Sequence, residues 1–450
     1  MKKIIRIIGF GLFAINSFGQ TNEAEKFSFS IQQAIDYAME NQYNIKNSKI
    51  DQELAQEKVS EITGLGLPQI NSSFDTKDFL IVPTTVIPLS FIQPGASGIY
   101  PVKMGVQYQS SAGLNASQLL FSGDYFLGLL ASKVFVELSS KSIQRTKIET
   151  MAAVSKAYYT VLINEERINL TDANIKRVKA SLDGTQGLYL TGFAEKIDVD
   201  RLTVTYNNLL VDKENIGRLL TLSTYLLKYQ MGMDVNAPLT LTEKLNDVKF
   251  DVNNNITAEK FDYSKRVEFS LLETQHRIAE LDLKRNRFSY LPNASAYGSL
   301  NKSAMNPKYF LNDIQQKWYP NSIIGATVTM PIFTGLQRNA KNQQSKLSLQ
   351  KTENNMELLK KSIDIELATS MTMLQNAAAS LINQKKNIEV AENVYRVSRI
   401  KYEQGVGSYI EMLTAETSLQ ESQTNYFSAL FNALVAKIDF DKANGALISK

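Results

Sequence analysis

Few residues in this chain are of types that do chemistry. The only histidine, His276, lies in Gln275-His276-Arg277 on a polar stretch of helical character, so any histidine-based triad depends on it alone. A solvated surface imidazole is the reading its neighbours support. Gly405-Val406-Gly407 lacks the third glycine and the preceding strand of a dinucleotide fingerprint. No phosphate-binding loop, clustered metal ligands or nucleophile constellation is present, and there is no cysteine. The sequence therefore predicts no enzyme, no cofactor and no metal centre. Two carboxylates do stand at matching places: Asp198 follows Gly192 by six residues, and Glu411 follows Gly405 by six. Each is expected early in a helix, where a negative side chain complements the helix dipole.

The elements that place them follow from the prolines. Ten prolines cluster at 68–101 and 292–331, with Pro238 alone between, which leaves 102–237 and 332–450 almost or wholly free of helix breakers. This alternation suggests an internal duplication. Ala55, Leu67 and Pro68 recur 224 residues later as Ala279, Leu291 and Pro292. Further on the offset becomes 213 and the match strengthens. Val154, Val161, Ile168, Ile175, Leu182 and Tyr189 are seven apart, and so are Leu367, Leu374, Leu381, Ile388, Tyr395 and Tyr402. A seven-residue apolar repeat keeps one stripe facing a partner helix, so both stretches read as coiled-coil helices. Their companion positions Ala377, Gln384, Ala391 and Ser398 are small or polar, which permits close approach.

The expected helices, Asp124 to Asp183 and Arg338 to Ile400, are each about 90 Å long at 1.5 Å per residue. Each ends at a loop, Tyr189-Leu190-Thr191-Gly192 or Tyr402-Glu403-Gln404-Gly405, whose glycine can take the left-handed conformation that closes a helix. Returning helices follow, from Asp198 to Gln230 and from Ser408 to Asn444. Between Pro68 and Gly123, and between Pro292 and Gly335, the period falls to two. In Val106 to Ser117 the odd positions are polar or small and most even positions more apolar, and Ile324, Ala326, Val328 and Met330 alternate with Gly325, Thr327 and Thr329. Each half offers one β-hairpin, or four strands per chain, fewer than the roughly eight that a membrane barrel needs.

Lys2, Lys3 and Arg6 precede the apolar run Ile7 to Ile15, and Ser17-Phe18-Gly19 supplies small residues for cleavage, so 1–19 reads as a secretory signal peptide. Its removal takes the formal charge of +4 to about +1, leaving no basic field for nucleic acid. No later run is long and apolar enough to span a membrane as a helix, so a membrane reading requires a closed barrel built from several copies. The competing reading is a soluble exported coiled-coil stalk or adhesin, which explains the duplicated strand hairpins poorly.

Several segments resemble the TolC family of outer-membrane efflux proteins, over nearly the whole chain after the signal. Phe29-Ser30-Ile31-Gln32-Gln33-Ala34-Ile35 with Asn41-Gln42-Tyr43-Asn44-Ile45 is similar to the family's first helix, and Leu67-Pro68-Gln69-Ile70 to its entry into the first strand. Leu120-Phe121-Ser122-Gly123 and Ile332-Phe333-Thr334-Gly335 resemble the two strand exits. Tyr402-Glu403-Gln404-Gly405 through Leu413-Thr414-Ala415-Glu416, then Leu419, Gln423, Tyr426, Ala429 and Leu430, is the most family-like stretch.

The resemblance implies an α+β membrane protein with duplicated long helical hairpins and two β-hairpins per chain. Three copies would form a 12-stranded barrel in outer-membrane lipid, continuous with an α-helical tunnel in the periplasm. The expected division is a signal peptide (1–19), a first repeat (20–235; β-hairpin 68–122, helical hairpin 123–235), an inter-repeat segment (236–261) and a second repeat (262–450; β-hairpin 292–334, helical hairpin 335–450). The implied function is the passive exit duct of a tripartite efflux or type I secretion system, working as a homotrimer with a periplasmic adaptor and an inner-membrane pump.

The resemblance also implies a constriction controlled by acidic and tyrosine residues at the helix tips, which makes Asp198, Tyr402 and Glu411 candidate gate residues, with Gly192 and Gly405 at the turns. Repeated carboxylates around an axis focus a negative field that favours cations. Where relatives carry an arginine in the second tip loop and a second acidic residue, this chain has Gly407 and Thr414. The segment Pro83 to Pro101, with Phe91, Ile99 and Tyr100, is expected to face outside as a mobile cap.

Overall fold

The computed structural model describes residues 27–245 and 261–447. The expected signal peptide and most of the inter-repeat segment, 246–260, lie outside the described residues.

The chain opens with β1 (Phe27–Phe29), α1 (Ile31–Asn41) and α2 (Tyr43–Leu65). Ser30 caps α1: its hydroxyl accepts from the Gln33 amide, and the Gln33 side chain accepts from the Ser30 N–H. Two N–H groups that the first turn leaves unpaired are thereby satisfied. Ser30→Ala should cost about 1 kcal/mol, read as a lowered denaturation midpoint. Where the sequence predicts one first helix, the backbone leaves helical geometry at Gln42, which is extended, and α2 starts afresh.

Next come β2 (Gln69–Asp78), β3 (Thr84–Pro88), β4 (Ile99–Lys103) and β5 (Tyr108–Phe121). They are followed by α3 (Gly123–Leu190) and α4 (Lys196–Met231). The second half supplies β6 (Leu239–Leu241), α5 (Val267–Phe288), β7 (Asn293–Asn306), β8 (Tyr319–Thr329), α6 (Gln337–Glu403) and α7 (Tyr409–Ala443). At 68 and 67 residues, α3 and α6 run past the expected ends at Asp183 and Ile400, so Tyr189-Leu190 and Tyr402-Glu403, expected in the closing loops, are still helical. Along α3, Val154, Val161 and Leu182 are buried, Ile168 and Ile175 half-buried, and Tyr189 exposed; along α6 all six heptad residues are at least half-buried.

The described chain divides into two compact units. One comprises residues 27–42, 150–245 and 377–435. Its largest core gathers Ala34 and Ala38 of α1, Val154, Tyr158 and Val161 of α3, Leu227 and Met231 of α4, and Leu430 and Leu434 of α7. β1 and β6 pair in parallel beside this core, with Phe27 opposite Leu239.

The other unit comprises residues 43–149, 261–376 and 436–447. It holds an antiparallel four-stranded sheet in the order β2-β5-β7-β8. The register sets the rows Ile70, Ala116, Gly298, Ile324 and Ser72, Leu114, Leu300, Ser322 on one face. The other face carries Ser73, Gly113, Asn301, Asn321, and Asn71, Asn115, Ser299 with Ile323 as the apolar exception. β2 and β8 have no further strand beside them among the described residues. The segment expected as a mobile cap instead contains a second hairpin, β3 against β4, with Val86 opposite Pro101 and Pro88 opposite Ile99. Its prolines are tolerated because a two-stranded ribbon has two free edges, towards which a missing N–H costs nothing.

Candidate functional site

The candidate gate residues all fall at the ends of the long helices, within the first unit. α3 closes on Gly192 at φ 81°, with the Gly192 N–H on the Tyr189 carbonyl and the Phe193 N–H on Leu188. α6 closes in the same way on Gly405 at φ 72°, with Gly405 N–H to Tyr402 and Val406 N–H to Lys401. The second turn is the tighter. The Gly407 N–H also donates to Lys401, and a Cβ at Gly407 would stand 2.8 Å from the Cβ of Lys401, so the loop has no room for a side chain there.

Asp198 lies in the first turn of α4, its side chain 17% exposed and 4.0 Å from the Arg201 guanidinium. Glu411 lies in the first turn of α7, half-exposed, 3.7 Å from Lys401. Pairs as open as the second contribute little to stability. Tyr402 packs edge-on against Tyr409 at 5.8 Å, and its hydroxyl lies 3.4 Å from that of Thr185. Both tyrosines belong to a cluster with Val178, Leu182, Leu202, Leu209 and Met412. Burial, and then the charge of Asp198, push the Tyr409 phenol well above its ordinary range. Its hydroxyl is therefore a neutral group beside Asp198, and it has no hydrogen-bond partner. Asp198 and Tyr402 thus converge on Tyr409, while Glu411 faces Lys401 instead.

Beside this cluster, with Glu416 two turns beyond Tyr409 on α7, stands a polar bridge that the sequence reading missed. Arg177 on α3 donates from Nε and Nη2 to both carboxylate oxygens of Glu416 on α7, at 2.9 to 3.3 Å. Arg177 Nη2 also donates to Asn174 Oδ1, Asn174 Nδ2 to Gln423 Oε1, and Gln420 Nε2 to Glu416 Oε1. The guanidinium lies over the Tyr395 ring of α6, 4.9 Å from its centroid. Glu416, Asn174 and Gln423 are all buried. Burial, then the Glu416 charge, raise the Tyr395 phenol, with Arg177 opposing. A signal for this bridge was present in α7, where Tyr409, Glu416, Gln423 and Leu430 are seven apart and all buried. A charge in a buried column demands a partner.

His276, expected on the surface, is only 24% exposed, between Glu280 at 3.8 Å and Glu353 at 3.7 Å. Among the described residues no group of three or more histidines and carboxylates is placed to hold a metal, and no helix is long and apolar enough to cross a membrane.

Comparison with known proteins bears on this arrangement. Residues 268–446 match the family model described as outer membrane efflux protein. The chain is 22% identical over 371 residues to the probable efflux pump outer membrane protein TtgC of Pseudomonas putida, covering 80% of this chain and 72% of that protein. It is 20% identical over 461 residues to the outer membrane protein TolC of Escherichia coli, covering 99% and 87%. Among solved structures, CusC superposes with a TM-score of 0.73 at 16% identity over 95% of each chain. The outer membrane protein VceC of Vibrio cholerae gives 0.69 at 13% identity, over 92% of this chain and 96% of that one. At these identities the structures speak for the fold, and the sequence matches speak for the family. The duplicated helical hairpins, the open sheet and the matched sequence agree: the chain is similar over nearly its whole length to outer-membrane efflux proteins of the TolC type, and its residues 268–446 match the outer membrane efflux protein family.

Proposed function

We propose that this outer-membrane efflux channel is a homotrimer whose three four-stranded sheets close into one 12-stranded barrel. The observation that carries the reading is the open sheet with two unlike faces. β2 and β8 leave rows of backbone donors and acceptors unpaired, and an open sheet edge is not tolerated in lipid. Four strands are too few to close on themselves, whereas three copies supply about twelve. Ile70, Phe74, Leu300 and Ile324 are more than half exposed on one face and suit hydrocarbon, while the asparagines and serines of the other suit a water-filled lumen.

The long helices of the three copies would continue the lumen as a coiled-coil tunnel into the periplasm. There a periplasmic adaptor and an inner-membrane pump would deliver cargo, and the duct itself would be passive. Asp198 and Tyr402 around Tyr409, with Glu411 nearer solvent, would form the entrance. Three copies of each carboxylate focus a field that favours cations. The Lys401 beside Glu411 and the side-chain-free Gly407 support an entrance wired differently from one that uses a tip-loop arginine.

The test is single-channel conductance of the detergent-purified protein in a planar bilayer, for wild type and for Asp198→Asn with Glu411→Gln. Cation-selective pores are expected, with the preference weakened in the variant. Pores of unchanged selectivity would leave the duct and remove the acidic entrance. No pores from folded protein would favour the soluble stalk.

A further inference from the structure

The two kinds of seam that the duplicated hairpins can make are chemically unlike. Within the chain, α3 lies against α6 and α7, and the buried bridge of Arg177, Asn174, Glu416 and Gln423 sits there. The 213-residue offset carries Arg177 to Val390 on α6 and Glu416 back to Thr203 on α4. In place of an ion pair, the related seam offers a valine and a threonine. Val390 is 62% exposed, and Val394 and Val397 of α6 and Ile197, Val204 and Val211 of α4 are open as well. In the trimeric reading, on which this inference rests, those two open stripes are the ones that meet between neighbouring copies.

An apolar stripe accepts several registers, because one valine or leucine packs on another after a small shift or rotation. A buried, bidentate ion pair accepts one, since displacement leaves both charges unpaired. We infer that the Arg177–Glu416 bridge is a register pin: it fixes the second hairpin on the first within each chain, and leaves the unpinned seam between copies as the one along which the tips shift. Arg177 and Glu416 are positioning residues in this scheme. Glu411 lies five residues from Glu416 on α7, and Tyr409, beside Asp198, seven, so the pin sets the height of the entrance groups.

The full chain purified in detergent tests this. Arg177→Met with Glu416→Leu removes the pin and keeps the seam packed. The expected result is an oligomer as heat-resistant as wild type whose single-channel conductance scatters over several sublevels. The swap Arg177→Glu with Glu416→Arg should return one level. A wild-type distribution in the apolar pair overturns the pin, and so does loss of the oligomer, which would make the bridge mere structural support. Val390→Arg with Thr203→Glu puts a pin on the other seam and should slow conductance switching; unchanged switching overturns the assignment of that seam. Amide exchange over residues 409–423 reads the pin without pores: Glu416→Gln should speed it about tenfold. Faster exchange in a protein that forms no pores would sink the duct and keep the pin, while unchanged exchange in a pore-forming protein would sink the pin alone.

Discussion

Glu416→Ala should lower folding stability by about 3–5 kcal/mol, among the largest effects of any single change in this chain. The carboxylate is nearly enclosed, with its side chain 6% exposed, and it takes two N–H groups of Arg177 and one of Gln420. Truncation leaves a guanidinium that is itself only 21% exposed, with Asn174 Oδ1 and the Tyr395 ring as its remaining contacts. Arg177→Ala should be at least as damaging, because the stranded anion is the more buried partner. Replacing both together by apolar residues of similar volume should be nearly neutral, since burying the pair costs about as much desolvation energy as the attraction returns. Denaturant midpoints of the four proteins, followed by helical circular dichroism in detergent, check this. A loss of less than about 1 kcal/mol for Glu416→Ala would class the bridge with surface ion pairs, contrary to its burial.

The same bridge marks the limit of what the sequence discloses. The long helices were legible because their signal is local and repeated: Val154 to Tyr189 and Leu367 to Tyr402 repeat every seven residues, and the helices formed around them. Strand alternation was legible for the same reason, and the sheet register places odd and even positions of β5 on opposite faces. Arg177 and Glu416 lie 239 residues apart; the seven-residue column of Tyr409, Glu416, Gln423 and Leu430 signals that Glu416 needs a partner, but nothing near it singles out Arg177. β1 and β6 join across 212 residues through three-residue strands too short to carry a period. In 83–101 the prolines argued for a mobile cap, yet a two-stranded ribbon does not need proline-free strands. At the tips, the glycine turns and the first-turn positions of Asp198 and Glu411 could be placed from spacing. That Tyr409 is where Asp198 and Tyr402 meet could not, because it depends on how four helices pack.

Glycines at the ends of the hairpins offer a second large effect, and one that geometry divides. Gly192 and Gly232 both close helices with positive φ, 81° and 70°. By conformation alone, alanine at either costs about 1–2 kcal/mol. Their surroundings differ. A Cβ at Gly192 meets nothing within 4 Å, whereas one at Gly232 would stand 2.6 Å from the Asn41 carbonyl oxygen and 2.8 Å from the Gln42 Cα. Those atoms are backbone at the end of α1, which packs through Ala34 and Ala38 on the core shared with Leu227 and Met231, so neither side can yield without opening that core. Gly232→Ala should therefore cost about 2–5 kcal/mol, the strain of φ plus an overpacking term of about 1–3 kcal/mol, while Gly192→Ala stays near the conformational cost alone. Unfolding midpoints of the two variants decide it. Equal losses would mean that α1 gives way, and that the contact between α1 and the end of α4 is softer than the 2.6 Å approach requires.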